Sequence, residues 1–222
     1  MTMNEGEQKR TSYKNKAIKG VKKMHNTLMS PKFSFYLALS SGISAIIATI
    51  ATVISAWSIL TFDLASFQSA ANQYLSYLYN SSNATALQYG QYLTSVTQST
   101  VLTLRSAFSI FIPLLVISGL FMIIAAFYLR SKDSKKVFSG MIFTIFFSAL
   151  VFIGIIVYML IGTATNNPTI STTVAMLFSY LGSYPTSGNP YIVIMYVFFT
   201  AYFVLGIISA MVSVYRASKL YG

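Results

Sequence analysis

The side chains able to do acid–base, nucleophilic or metal chemistry are few here: Glu5, Glu7, Asp63, Asp133 and one histidine, His25, with no cysteine among 222 residues. Zero cysteines remove disulfides, thiolate metal sites, iron–sulfur ligation and a thiol nucleophile together. A single histidine removes bis-histidine haem and histidine-based metal sites. It is also remote from every serine-rich segment, so no Ser-His-Asp set assembles. No phosphate-binding glycine loop or nucleophile–base pair occurs. These residues predict a protein that is not an enzyme and carries no metal or cofactor. Two charges stand apart. Asp63 and Arg105 bracket a stretch, 64–104, that has no charge at all. At equal depth on adjacent helices they would form a structural ion pair worth about 1 kcal/mol or less at a wet interface. Separate hydration of the two charges is the alternative.

The elements that would hold them are apolar. The chain is 55% hydrophobic and 9% charged, against about 25% charged in soluble domains. Ala107–Leu129 and Val137–Gly162 are uncharged runs on either side of the basic turn Arg130–Lys136. A helix needs about 20 apolar residues to cross a hydrocarbon core. Both runs read as transmembrane helices joined by a tight turn. Extending the reading gives an all-α integral membrane protein with four transmembrane helices. The order is a basic amphipathic segment (1–35), a first span (36–62), a helical hairpin loop (63–104), a second span (105–129), a turn (130–136), a third span (137–162), a second loop (163–189), a fourth span (190–215) and a tail (216–222).

Orientation follows from charge. With the 130–136 turn in the cytoplasm, both termini are cytoplasmic and 14 of the 15 Lys and Arg lie inside, Arg105 alone outside. That is a strong positive-inside pattern. It also accounts for the net charge of +11 without nucleic acid as a partner. Within the N-terminal segment, Ala17, Ile18, Val21, Met24 and Leu28 recur at helical spacing with lysines on the other face. This fits a helix lying on the membrane and drawn to anionic lipid headgroups, or a solvated tail that only fixes topology. Ser30-Pro31 separates it from the first span.

Small residues Ser41, Ala45, Ala48, Thr52 and Ser55 form one stripe of the first span, and Gly206 and Ala210 form a small-xxx-small pair in the fourth. Such stripes let helix backbones approach closely, within the chain or between copies. Pro113 predicts a kink in the second span. In the first loop Leu64, Phe67, Ala71, Tyr74, Leu75 and Leu78 keep helical periodicity, and Ala86, Gly90, Leu93, Val96, Thr100 and Leu104 do so after a break. An acid at a helix C-terminus and a base at an N-terminus both oppose the macrodipole. Asp63 and Arg105 are therefore expected inside continuous helices that extend the first and second spans outward.

Asn80 and Asn83 each open a glycosylation sequon at the hairpin tip. The outer loops titrate little between neutral and acidic pH, which suits an acidic exterior such as that of a thermoacidophilic archaeon. The architecture resembles that of tetraspan families such as claudins and tetraspanins, in its four spans and two outer loops. Their loop cysteines have no counterpart here, and the only tryptophan, Trp57, lies in a span. The resemblance therefore stops at architecture. Apart from Arg105 at the outer end of the second span, the spans contain no Asp, Glu, Lys, Arg or His, which argues against a proton-coupled transporter or pump. The expectation is a structural or accessory subunit of a membrane complex in the cell envelope, or a homo-oligomer, making contact through uncharged, Tyr-rich outer loops. A passive oligomeric channel lined by the Ser/Thr stripe is the alternative.

Overall fold

The computed structural model describes residues 18–81, 84–164 and 190–221, and these are helical apart from short breaks. A helix over 18–28 (α1) is followed by α2 (Pro31–Leu60), α3 (Leu64–Asn80), α4 (Ala84–Arg130), α5 (Ser134–Ala164) and α6 (Pro190–Tyr221). Four of these helical stretches are long and apolar enough to cross a membrane. The expected segment before residue 18, the sequon at Asn83 and the second loop over 165–189 lie outside the described residues.

The breaks follow from local chemistry. Pro31 opens α2, where its missing N–H and fixed φ cost nothing. At the basic turn, the Asp133 carboxylate accepts from the Lys135 amide at 3.0 Å while the Asp133 amide donates to the Ser131 hydroxyl, also 3.0 Å. An acid thus satisfies orphan donors at the start of α5. α4 runs through Pro113 without interruption, and Pro113 sits on an exposed face.

The chain divides into two compact units, one built from 1–45, 118–149 and 200–222, the other from 46–117 and 150–199. The core of the first is polar in a particular way. Tyr202 is fully buried, and its hydroxyl donates to the Phe147 carbonyl at 2.5 Å. The Ser41 hydroxyl donates to the Tyr202 carbonyl at 2.8 Å. Side-chain hydroxyls spent on backbone carbonyls tie α2, α5 and α6 together and satisfy these particular groups in an apolar medium. Close approach makes this possible. A Cβ on Gly206 would lie 2.9 Å from Ser148 Cβ, and one on Gly42 would lie 2.8 Å from the Gly119 carbonyl oxygen. Phe121 stacks on Phe147 with ring centroids 4.3 Å apart.

The second unit packs by aromatic and aliphatic contact instead. Phe199 meets both Phe111 and Phe152, with centroids 5.6 and 5.9 Å apart, and Ala51, Ile192 and Met195 form a buried cluster.

The small-residue stripe of α2 is divided between the units, and Ser41, Ala45, Ala48 and Thr52 are all fully buried by the chain itself. Ser55 is half-buried. The opposite face carries Ile43, Ile50, Ile54 and Trp57, all exposed. Small residues inside and bulky apolar ones outside is the arrangement expected where lipid, not water, covers the outer face.

Candidate interaction surface

α4 has 47 residues, about 70 Å of helix, more than twice a hydrocarbon core of about 30 Å. Its apolar run between Arg105 and Arg130 uses the C-terminal half. The N-terminal half, from Ala84 to Leu104, is left beyond what a bilayer core can cover, and it pairs with α3. Gly90 sets the distance between them: a Cβ there would lie 2.9 Å from Leu75 Cδ2 and 3.4 Å from Leu78 Cδ1. On α3 the less exposed positions are Phe67, Ala71 and Leu75, half-buried, and Leu78, buried, with Leu75 and Leu78 meeting Gly90. From α4 the inward face is Leu87, Gly90, Thr94 and Thr97, continuing into buried Val101 and Leu104.

This register differs from the periodicity in the sequence. Leu93 and Val96, expected in the inward stripe, are exposed, and so is Tyr74 on α3. Threonine takes the inward positions because its hydroxyl can return to its own helix: Thr94 Oγ1 donates to the Gly90 carbonyl at 2.9 Å. A polar residue with that option behaves as a small apolar one. The displaced residues leave a stripe of Tyr89, Tyr92, Leu93 and Val96 facing outward at helical spacing, every one exposed. Tyr74, Tyr77 and Tyr79 of α3 are exposed as well. Nothing charged lies among them, since the segment between Asp63 and Arg105 has no ionised side chain at neutral pH.

Asp63 and Arg105 sit at the base of this hairpin, but not as the expected ion pair. α2 ends at Leu60, and Asp63 is the N-cap of α3. Its carboxylate accepts from the amides of Ala65 and Ser66 at 3.0 and 3.1 Å and from the Ser66 hydroxyl at 2.6 Å. The continuous helix expected through Asp63 is therefore broken there, because an acid at an N-terminus is favoured by the macrodipole while one at a C-terminus is not. Arg105 is interior to α4, and its guanidinium donates to the carbonyls of Ile59 (2.9 Å) and Phe62. It thus closes the open C-terminal end of α2. The Ser66 hydroxyl is the largest influence holding the Asp63 carboxyl below the ordinary carboxylate value, and the Arg105 charge the smallest. Each charge is matched mainly to a helix end and only weakly to its opposite.

The first unit contains a second clamp that composition does not reveal. Arg216, on α6, is 2% exposed. Its guanidinium donates to the Leu129 carbonyl and, at 2.6 Å, to that of Ser131, closing the C-terminal end of α4. The signal in the sequence was a base one residue past an apolar run, indistinguishable from an ordinary interfacial anchor. At the same end, His25 of α1 lies 2.6 Å from the Tyr215 hydroxyl through Nδ1, with the rings edge to face.

Of the remaining sequence-derived sites, Gly206 is a true close-contact position and Ala210 is half-buried. Asn80 is exposed at the end of α3. Among the described residues, no group of three or more His, Asp or Glu is placed to hold a metal ion. No protein-family model, curated protein or solved structure matches this chain.

Proposed function

We propose that the chain is a non-enzymatic four-span membrane protein that serves as a structural or accessory subunit of a cell-envelope assembly, docking through the α3–α4 hairpin. The observation that carries this is the exposed stripe Tyr89, Tyr92, Leu93 and Val96, on helix too long to be covered by a bilayer core. Tyrosine suits such a surface because it buries area while keeping a hydroxyl for bonding. The distribution of lysine and arginine supports an orientation with the termini and the 130–136 turn in the cytoplasm and the hairpin outside. Asn80, exposed at the hairpin tip, is then a glycan acceptor, and its low-charge surroundings suit an acidic exterior.

The pore alternative would need the Ser/Thr stripe to face a lumen. Ser41, Ala45, Ala48 and Thr52 are instead buried within one chain. Thr52 donates to the Ala48 carbonyl at 2.7 Å and Ser55 to that of Thr52 at 3.0 Å. That burial supports docking over conduction. The test is co-purification from native membranes under mild detergent, with Leu93→Asp/Val96→Asp as control. A partner or second copy recovered with wild type and lost from the double variant is the expected result. A monodisperse single copy with nothing attached to either protein overturns it.

A further inference from the structure

α1 does two things at once at the start of the first span. One side of it, with Tyr215 at the end of α6, walls an apolar groove of about 570 Å³ lined by Ile18, Val21, Met24 and Leu28. The other side, running on to Ser30 and Phe33, forms a crevice of about 540 Å³ bordered by Lys19, Lys22 and Lys23 with Asn26. Lys22 borders both. The groove is not closed by protein: Ile18, Val21 and Met24 are 56%, 63% and 60% exposed. The His25–Tyr215 contact at 2.6 Å fastens α1 to α6 along one edge and leaves the rest open.

Three observations say what covers it. Position comes first: α2, an apolar membrane-length helix, begins at Pro31, three residues after α1 ends. The groove therefore lies at headgroup depth, not in bulk solvent. Charge is the second. Among its described residues the first unit has ten Lys and Arg against one acid, Asp133. The third is the pairing of shapes, an apolar trough sharing a wall with a cationic crevice. That combination matches an amphiphile with an anionic head.

We infer that α1 and the end of α6 form a binding site for one anionic phospholipid. An acyl chain lies along Ile18, Val21, Met24 and Leu28, and the phosphate is held by Lys19, Lys22 and Lys23. The site rests on the membrane-spanning reading given above, but not on the hairpin's docking role. Lysine is suited to it because a flexible stem can follow apolar surface while the ammonium reaches the headgroup.

The experiment uses the full chain in mild detergent with phosphatidylglycerol or phosphatidylcholine added, and native mass spectrometry as the readout. Wild type is expected to retain phosphatidylglycerol in a one-to-one adduct at least about tenfold more than phosphatidylcholine, in line with the contribution of each basic residue near an anionic surface. Lys19→Gln/Lys22→Gln/Lys23→Gln should lose that preference. Val21→Ser/Met24→Ser should lose retention of both lipids. Unchanged circular dichroism would show that each variant keeps its helices, since all five positions are exposed. Excess inorganic phosphate should not displace the lipid. Equal retention of both lipids by wild type, full retention by the triple variant, or displacement by phosphate alone would each overturn the site. A second copy filling the groove would appear as a dimer that the apolar double variant dissolves, also against it. None of these outcomes depends on the Leu93/Val96 surface, so the two proposals fail separately.

Discussion

Arg216 in one unit and Arg105 in the other do the same job in different surroundings. Each reaches from the side of its own helix to two carbonyls at the end of another, α4 for Arg216 and α2 for Arg105. Arg216 is almost fully buried, and its hydrogen-bond partners among the described residues are those carbonyls. Arg105 is half-buried and has the Asp63 carboxylate near enough to influence it. A helix C-terminus carries about half a negative charge on carbonyls that lack amide partners. A planar guanidinium can fork across two of them. Among the described residues no acid pairs with the more buried arginine; a helix end supplies both the acceptors and the opposing field. An isolated base beside an apolar run can therefore be a cap for a distant helix.

Arg216→Met removes a charged donor and strands two carbonyls at a buried helix end, so a loss of about 3 kcal/mol is expected. Denaturant or thermal unfolding in detergent measures it. Arg216→Lys should recover only part, since one ammonium cannot span both carbonyls with the same geometry. Full recovery would mean that charge alone matters and the fork does not.

Glycines sharpen the contrast between the two units. A Cβ on Gly206 meets Ser148 Cβ at 2.9 Å, next to the main chain and hard to move. Gly206→Ala should cost about 1–3 kcal/mol by overpacking. Gly90 faces the tip of Leu75, which can rotate away, and alanine gains about 1 kcal/mol of helix propensity. Gly90→Ala should therefore be near neutral in the same unfolding assay. Next in size, Arg105→Ala should lose about 1–2 kcal/mol, less than Arg216→Met because water can replace the guanidinium at a half-exposed end.

How much of this was legible in the sequence depends on which force sets the feature. Four apolar helices and the breaks at Pro31 and Asp133 could be read directly, because span length and turn chemistry are local. The small-residue stripe of α2 was legible as a packing face, but not its partner: burial within the chain is visible only in the structure. The α4 register was legible only in part: Ala86, Gly90, Thr100 and Leu104 are half-buried or buried, as their spacing suggests, whereas Leu93 and Val96 are exposed. Hydropathy ranks Leu93 above Thr94, yet the threonine hydroxyl returns to Gly90 and the leucine is left outside. Asp63 differs for another reason. Its place before Leu64-Ala-Ser66 is an N-cap pattern, but helical periodicity on both sides of it points equally to an unbroken helix. Arg216 and the Tyr202 node depend on which helices are neighbours, and one chain's order of residues does not carry that information.

The smallest expected effect decides between a cap and an ion pair at Asp63. Its carboxyl is held below the ordinary carboxylate value, with the Ser66 hydroxyl as the largest cause and Arg105 the least. A depressed carboxyl pKa contributes stability that is fully present above the unfolded value and is lost as pH falls through the folded one. The response should therefore be confined to acid conditions, below about pH 4. Amide exchange at Ala65 and Ser66, followed as pH is lowered, reads it locally. Asp63→Asn should keep most of the protection at neutral pH, since asparagine also caps, while removing the acid-dependent loss. Ser66→Ala should shift that loss toward higher pH. Arg105→Ala should leave its midpoint nearly where it was. If Arg105→Ala instead moves the midpoint more than Ser66→Ala does, the guanidinium is the carboxylate's main partner, and Arg105 differs from Arg216 in kind, not only in depth.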